Sequence, residues 1–276
     1  MERTAGAASP PVPQPVPAGA PAPVPTAEAA VLLDGLPRQR GPLALPAAVI
    51  PRTVPAMRPW RLLPTPAGTP VTFFYTVLLA LTSLFAEYAG PGLLHAVYQD
   101  SSTDVAHLSR TPAFVLLASA MWVAGGLLSP YAVAFVLVLT ALERRMGGAR
   151  AILVFLAGHV LATLATEIPV GLAVLAGRLP GTSLHRLDYG ISYGVAAGVG
   201  ALCGLLTPWL GRPLLALVGY SLVMDLVAFQ DPVTNWGHLI SLSIGTALWP
   251  VVRRWHREHA QSGPADVSGA RRFGGS

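Results

Sequence analysis

The sequence contains no lysine, only one cysteine (Cys203), and few charges of any kind: 11% of its 276 residues are Asp, Glu, Lys or Arg. Soluble domains carry roughly 25%, so the shortage argues against an ordinary water-exposed surface. A single cysteine excludes an internal disulfide and says nothing of redox compartment. The complete absence of lysine, beside abundant alanine and proline, reads as the codon bias of a GC-rich genome. What is present is apolar, at 53% of residues. That is more apolar surface than one soluble core hides, so the bilayer is the default solvent. The net charge of +5 does not point to nucleic acid. The arginines sit in short clusters at the ends of apolar runs, which is the pattern of topology signals.

Residues 1–70 hold 17 of the 27 prolines. Stretches such as PPVPQPVPAGAPAPVP cannot pack a core, and 1–70 reads as a disordered cytoplasmic tail. No signal peptide is evident, and Met57, heading MRPWRLLPTP, offers an alternative start. VTFFYTVLLALTSLFA (71–86) is the first membrane helix. Residues 113–142 carry no charge, yet thirty helical residues would span about 45 Å, too long for one crossing and too short for two. The interruption at Gly125-Gly126 and Ser129-Pro130 makes PAFVLLASAMWV an interfacial or re-entrant helix and YAVAFVLVLTAL the second span. Spans three to six are 151–168, 189–210, 213–229 and 236–252. Residues 253–276 form a basic, disordered cytoplasmic tail.

Six crossings leave both termini on one side. With that side cytoplasmic, Arg58, Arg61, Arg144, Arg145, Arg150, Arg212, Arg253, Arg254 and Arg257 lie inside, while only Arg110, Arg178 and Arg186 lie outside. This bias follows the positive-inside rule for a multi-pass cell-membrane protein. The expected architecture is therefore an all-α, six-helix membrane bundle over 71–252, with a partly embedded first loop.

A polar residue in a bilayer needs a partner or a wet cavity. The candidates are His159, Glu167, Ser192, Asp225 and His238. Spans four and six both enter from outside, and Ser192 and His238 lie near their starts, so the two are expected at equal depth just below the outer face. A serine hydroxyl becomes a nucleophile when a base takes its proton, and histidine titrates in the right range. Gly190, Gly194 and Gly198 recur every fourth residue and, with Gly245 two turns after His238, are expected to draw spans four and six together. Ser192 and His238 are the candidate catalytic residues, and Tyr193, Glu167 and Asn235 the candidate supporting ones. Glu167 reads either as an orienting partner of His238 or as an interfacial carboxylate facing water. His159 is expected to bond a neighbouring helix, Asp225 to be shallow or paired, and Asp188 to cap span four. No cofactor, metal or nucleic acid is expected.

Four local matches show that the chain resembles the rhomboid family of intramembrane serine proteases over about residues 71–252. ALERRMG resembles the family's Glu-x-Arg-x-Gly loop through Glu143, Arg145 and Gly147. GISYG resembles its Gly-x-Ser-Gly nucleophile motif. TNWGHLISLSIG resembles its histidine followed by small residues at the third and seventh positions, here Ser241 and Gly245. The long first loop is the fourth match. The resemblance implies Ser192 as nucleophile, His238 as general base and single-span membrane proteins as clients. It also has departures. Tyr193 stands where the family has glycine, and Ala196 where it has an aromatic residue, whose contact with the histidine Tyr193 could take over. The first-loop Trp-Arg motif is missing, and Leu127 and Tyr131 occupy the places of the oxyanion-donating His and Asn. A catalytically inactive rhomboid-like protein that binds client helices is the alternative. A proton-coupled carrier using His159, Glu167, Asp225 and His238 is a third reading, against which stands the lack of paired broken helices.

Overall fold

The computed structural model describes residues 62–262; the expected tails over 1–61 and 263–276 lie outside the described residues. The described part is helical. In chain order it comprises α1 (Pro70–Tyr88), α2 (Pro91–Asp100), α3 (Val105–Arg110), α4 (Pro112–Ser119), α5 (Pro130–Met146), α6 (Gly148–Leu175), α7 (Ser192–Cys203), α8 (Pro208–Ala228), α9 (Pro232–Ala247) and α10 (Trp249–Gln261). Proline opens several of them, where its fixed φ suits the first turn and its missing N–H costs nothing.

Among the described residues three helices, α1, α6 and α8, are long and apolar enough to cross a membrane. The protein is a helical membrane protein. The other elements differ from expectation for identifiable reasons. The segment PAFVLLASAMWV, expected as an interfacial or re-entrant helix, is a short helix, α4, followed by a long turn to Ser129, whose side chain accepts from Ala132 N at 3.2 Å and starts α5. Gly147, at φ +87°, reverses the chain between α5 and α6, a conformation that glycine adopts without penalty. The helix α6 runs through Pro169 to Leu175, because the residues beyond stay apolar and Gly171 packs on Val105 of α3.

The expected span 189–210 breaks in two. Its helix, α7, has 12 residues and stops at Gly204, where the Trp249 ring leaves no room for a side chain. The helix α8 restarts at Pro208. The span 236–252 also divides: Pro250 has no N–H for the Thr246 carbonyl, and the chain turns at Leu248 into α10. Residues 253–261, expected within the tail, are helical. Val252 is fully buried, His256 Nδ1 meets Arg145 O at 2.8 Å and Arg150 pairs with Glu258 at 2.8 Å. Ahead of α1, Thr65–Thr69 forms a turn with Thr69 fully buried, so the packed domain begins before 71.

The short helix α7 is the centre of the bundle, flanked by α5, α6 and α9 and buried along nearly its whole length. Small side chains make this possible. Gly194 faces the Phe155 ring of α6 and Gly198 faces Val138 of α5, while Gly190, at φ +123°, lies in the turn before α7 against Trp122 and Ala124. The stripe expected to admit α9 therefore admits α5 and α6. The approach of α9 uses the adjoining face, where Gly245 abuts the Ala197 backbone and Gly200 abuts Leu242 O. By contrast, α1 and α8 are peripheral and show exposed Phe74, Leu81, Leu217 and Val227 to the surroundings, as lipid-facing helices do. A core of Tyr75, Phe135 and Phe155 in edge-on contact joins α1, α5 and α6, with centroids 4.9–5.8 Å apart.

Charge is segregated between the two ends. Among the described residues, the end holding the α5–α6 turn and α10 carries seven arginines against Glu143 and Glu258. The other carries Arg110, Arg178 and Arg186 against seven carboxylates.

Candidate functional site

Ser192 is the first residue of α7 and is half-buried. Two backbone bonds fix the turn that leads into it: Gly190 N donates to Ser119 O at 2.9 Å and Ile191 N to Trp122 O at 3.1 Å. The partner strip 119–122 is itself anchored from three sides. Tyr75 donates to Ala120 O at 2.7 Å, Thr82 to Met121 O at 2.7 Å, and His159 Nε2 lies 3.0 Å from both Ser119 Oγ and Leu116 O. His159 sits well inside α6, so it ties the end of α4 to the interior of the bundle. Its expected role, a bond to a neighbouring segment, is what the geometry displays.

His238 lies in the second turn of α9, whose amino end is capped by Asp231 Oδ1 accepting from Thr234 N at 3.3 Å. The imidazole is 4% exposed and its Nε2 has no hydrogen-bond partner. Tyr131, in the first turn of α5, stacks on it with centroids 5.6 Å apart and planes 19° apart. Tyr193, next to Ser192, meets it edge-on at 5.3 Å. Tyr193 thus makes the contact expected of it. Its ring fits because residue 237 is glycine: a Cβ there would run into the ring and hydroxyl. Ser241 then donates to the Tyr193 carbonyl and locks α9 to α7. The contact between the start of α7 and His238 of α9 is made by Tyr193, the chain neighbour of Ser192. No hydrogen bond among the described residues joins Ser192 to His238.

Above this junction lies an ionic cluster that corrects three expectations. Glu167, 1% exposed, neither orients His238 nor faces water. Its Oε1 pairs with Arg186 Nη2 at 2.5 Å. Arg186, read from sequence only as a loop charge, also reaches Asp188 at 3.5 Å, Asp231 at 3.6 Å and Thr234 Oγ1 at 3.0 Å. Asp188 does not cap α7. Its carboxylate accepts from Thr103 Oγ1 at 3.3 Å, and its backbone N–H donates to Ser102 Oγ at 3.0 Å. Burial pushes the Asp188 carboxyl above its usual range, against the pull of Arg186. Burial also works against the Arg186 charge, but Asp188 and Glu167 more than offset it. The cluster fastens the buried 101–104 strip of the first loop to the segment entering α7. One sequence signal pointed to it: a carboxylate inside an apolar run demands a cation, and Arg186 is one of three at that end.

Asn235 donates to the Asp225 carbonyl at 2.9 Å and so joins α9 to α8 rather than supporting His238. Asp225 itself is exposed near the end of α8. Leu127 is in the turn before α5 and exposed. Among the described residues no three His, Cys, Asp or Glu side chains are grouped to hold a metal ion.

At the opposite end, Glu143 of the ALERRMG motif accepts from Val71 N at 3.0 Å, Thr72 N at 2.7 Å and Thr72 Oγ1 at 2.6 Å. One carboxylate from α5 thereby satisfies the free amino end of α1. The motif's role here is to hold these two helices together.

The comparisons with known proteins agree with this architecture. A family model described as rhomboid-like protein matches residues 67–258. No curated protein and no solved structure matches the chain. With the family model covering more than half of the sequence, the chain belongs to the rhomboid-like protein family.

Proposed function

We propose that the protein is an intramembrane serine peptidase in which six helices cross the cell membrane with both ends in the cytoplasm. Ser192 attacks a peptide bond of a single-span client near the outer face. Its proton passes to His238 Nε2, which returns it to the leaving amine, and a water then releases the acyl group by the reverse transfer. The observation that carries this reading is the state of His238. A buried nitrogen without a partner is costly and rare, and this one is held between Tyr131 and Tyr193, the latter being the chain neighbour of Ser192. Catalytic hydrogen bonds are often formed only with substrate present.

One observation favours a second reading, a non-catalytic binder of client helices. The positions that would donate to an oxyanion are Leu127 and Tyr131, and losing one such donor costs about 10²–10³ in rate. A fluorophosphonate probe separates the two. Labelling of the wild type that disappears in both Ser192→Ala and His238→Ala supports the peptidase. Absence of labelling and of client cleavage, with clients co-purifying equally with all three proteins, refutes it in favour of the binder.

A further inference from the structure

An open cavity of about 690 Å³ lies at the arginine-rich end, between the start of α1, the α5–α6 turn and the end of α10. Its walls include Val71, Glu143, Arg144, Gly148 and His259. The carboxylate does not set the character of this space, because three donors from α1 already occupy Glu143. Arg144 is exposed, and among the described residues its guanidinium makes one hydrogen bond, from Nη2 to Leu63 O at 3.3 Å. His259 is also exposed and approaches from the opposite wall. From Val71 an apolar stripe of exposed Phe74, Val77 and Leu81 runs along α1 toward the other end of the bundle. The spacing of three and four residues puts these side chains on one face.

We propose that the cavity takes the phosphate headgroup of an anionic phospholipid, whose acyl chain lies along the Phe74–Val77–Leu81 stripe. A guanidinium is matched to phosphate oxygens in geometry and charge, and basic pockets at the ends of membrane helices recognise such headgroups. The continuous apolar track selects a lipid over a free phosphate ester.

The test uses the full chain purified in dodecylmaltoside and native mass spectrometry with added phosphatidylglycerol or phosphatidylcholine of identical acyl chains. Phosphatidylglycerol is expected to be retained at least about fivefold better, and Arg144→Gln to weaken its retention about fivefold, the worth of one arginine near an anionic headgroup. The Arg144→Gln, His259→Gln double variant should erase the preference, whereas Arg178→Gln at the far end should leave it intact. Equal retention of the two lipids by the wild type overturns the proposal whatever the variants do. So does unchanged selectivity in a folded double variant. Displacement of phosphatidylglycerol by an equal concentration of glycerol phosphate assigns the cavity to a soluble anion and likewise overturns it.

Discussion

Replacing Glu143 by alanine removes the single acceptor for three donors of α1. Thr72 is fully buried, so its N–H and its hydroxyl have no water to turn to, whereas Val71 is half-buried and its N–H recovers a solvent partner. Stranding a buried donor costs about 1–3 kcal/mol. Two such groups, with a smaller share from Val71, give a loss of about 4 kcal/mol for Glu143→Ala. Thr72→Val removes only the hydroxyl and should cost about 1 kcal/mol, and the double variant should cost less than the sum, because the two changes share one bond. The measurement is reversible unfolding by sodium dodecyl sulfate from dodecylmaltoside micelles, followed by circular dichroism. Proteolysis in the 62–69 segment should accelerate in parallel, because α1 loses its tie to α5. A loss below about 1 kcal/mol for Glu143→Ala, or strict additivity with Thr72→Val, would refute the argument that this carboxylate joins the two helices.

The ionic cluster gives a related expectation: Arg186→Gln leaves Glu167 buried and uncompensated, and about 2–3 kcal/mol should be lost in the same assay, discounted from a fully buried pair because Arg186 is partly exposed. Glu167→Gln in that background should restore part of the loss; further destabilisation would count against the pairing. At the other end, a hydrogen bond from Arg254 and the charge of Arg150 hold the Glu258 carboxyl below its usual range. A depressed acid stabilises the fold above its unfolded pKa and ceases to as pH falls through the folded one, so amide exchange over 249–262 should quicken only on the acid side of the ordinary glutamate range. Glu258→Gln should abolish that pH dependence, and a profile unchanged by the substitution would contradict it.

Much of this was legible in the sequence for one reason: apolar runs bounded by Pro, Gly and Arg mark helices that must satisfy their own backbone. Helix α1 and the α5–α6 turn follow from that pattern, as does the approach of α7 to α9, where Tyr193 meets His238. The pattern fails where the interruption is tertiary. The run 189–210 reads as unbroken although it holds Pro208, which has no N–H for the Gly204 carbonyl; Arg253 of distant α10 donates to that carbonyl instead, at 2.9 Å. Likewise RRWHREH reads as a solvated tail, yet Val252 and His256 fall on one face and dock on the end of α5. The glycine stripe was visible but its partner was not: Gly194 and Gly198 face α6 and α5, and α9 is met by the adjoining Ala197 and Gly200. Glu167 shows the limit most clearly. Its need for a cation could be read from the chain, but the choice of Arg186 depends on how the 176–191 connection folds back.

The separation of arginines from carboxylates has an electrical consequence. In an energised membrane each elementary charge carried across 100 mV is worth about 2.3 kcal/mol. For a bundle whose two ends bear opposite charge, the voltage therefore favours the orientation that turns the arginine end to the negative compartment. Collapse of the potential would weaken that preference without altering any contact inside the protein.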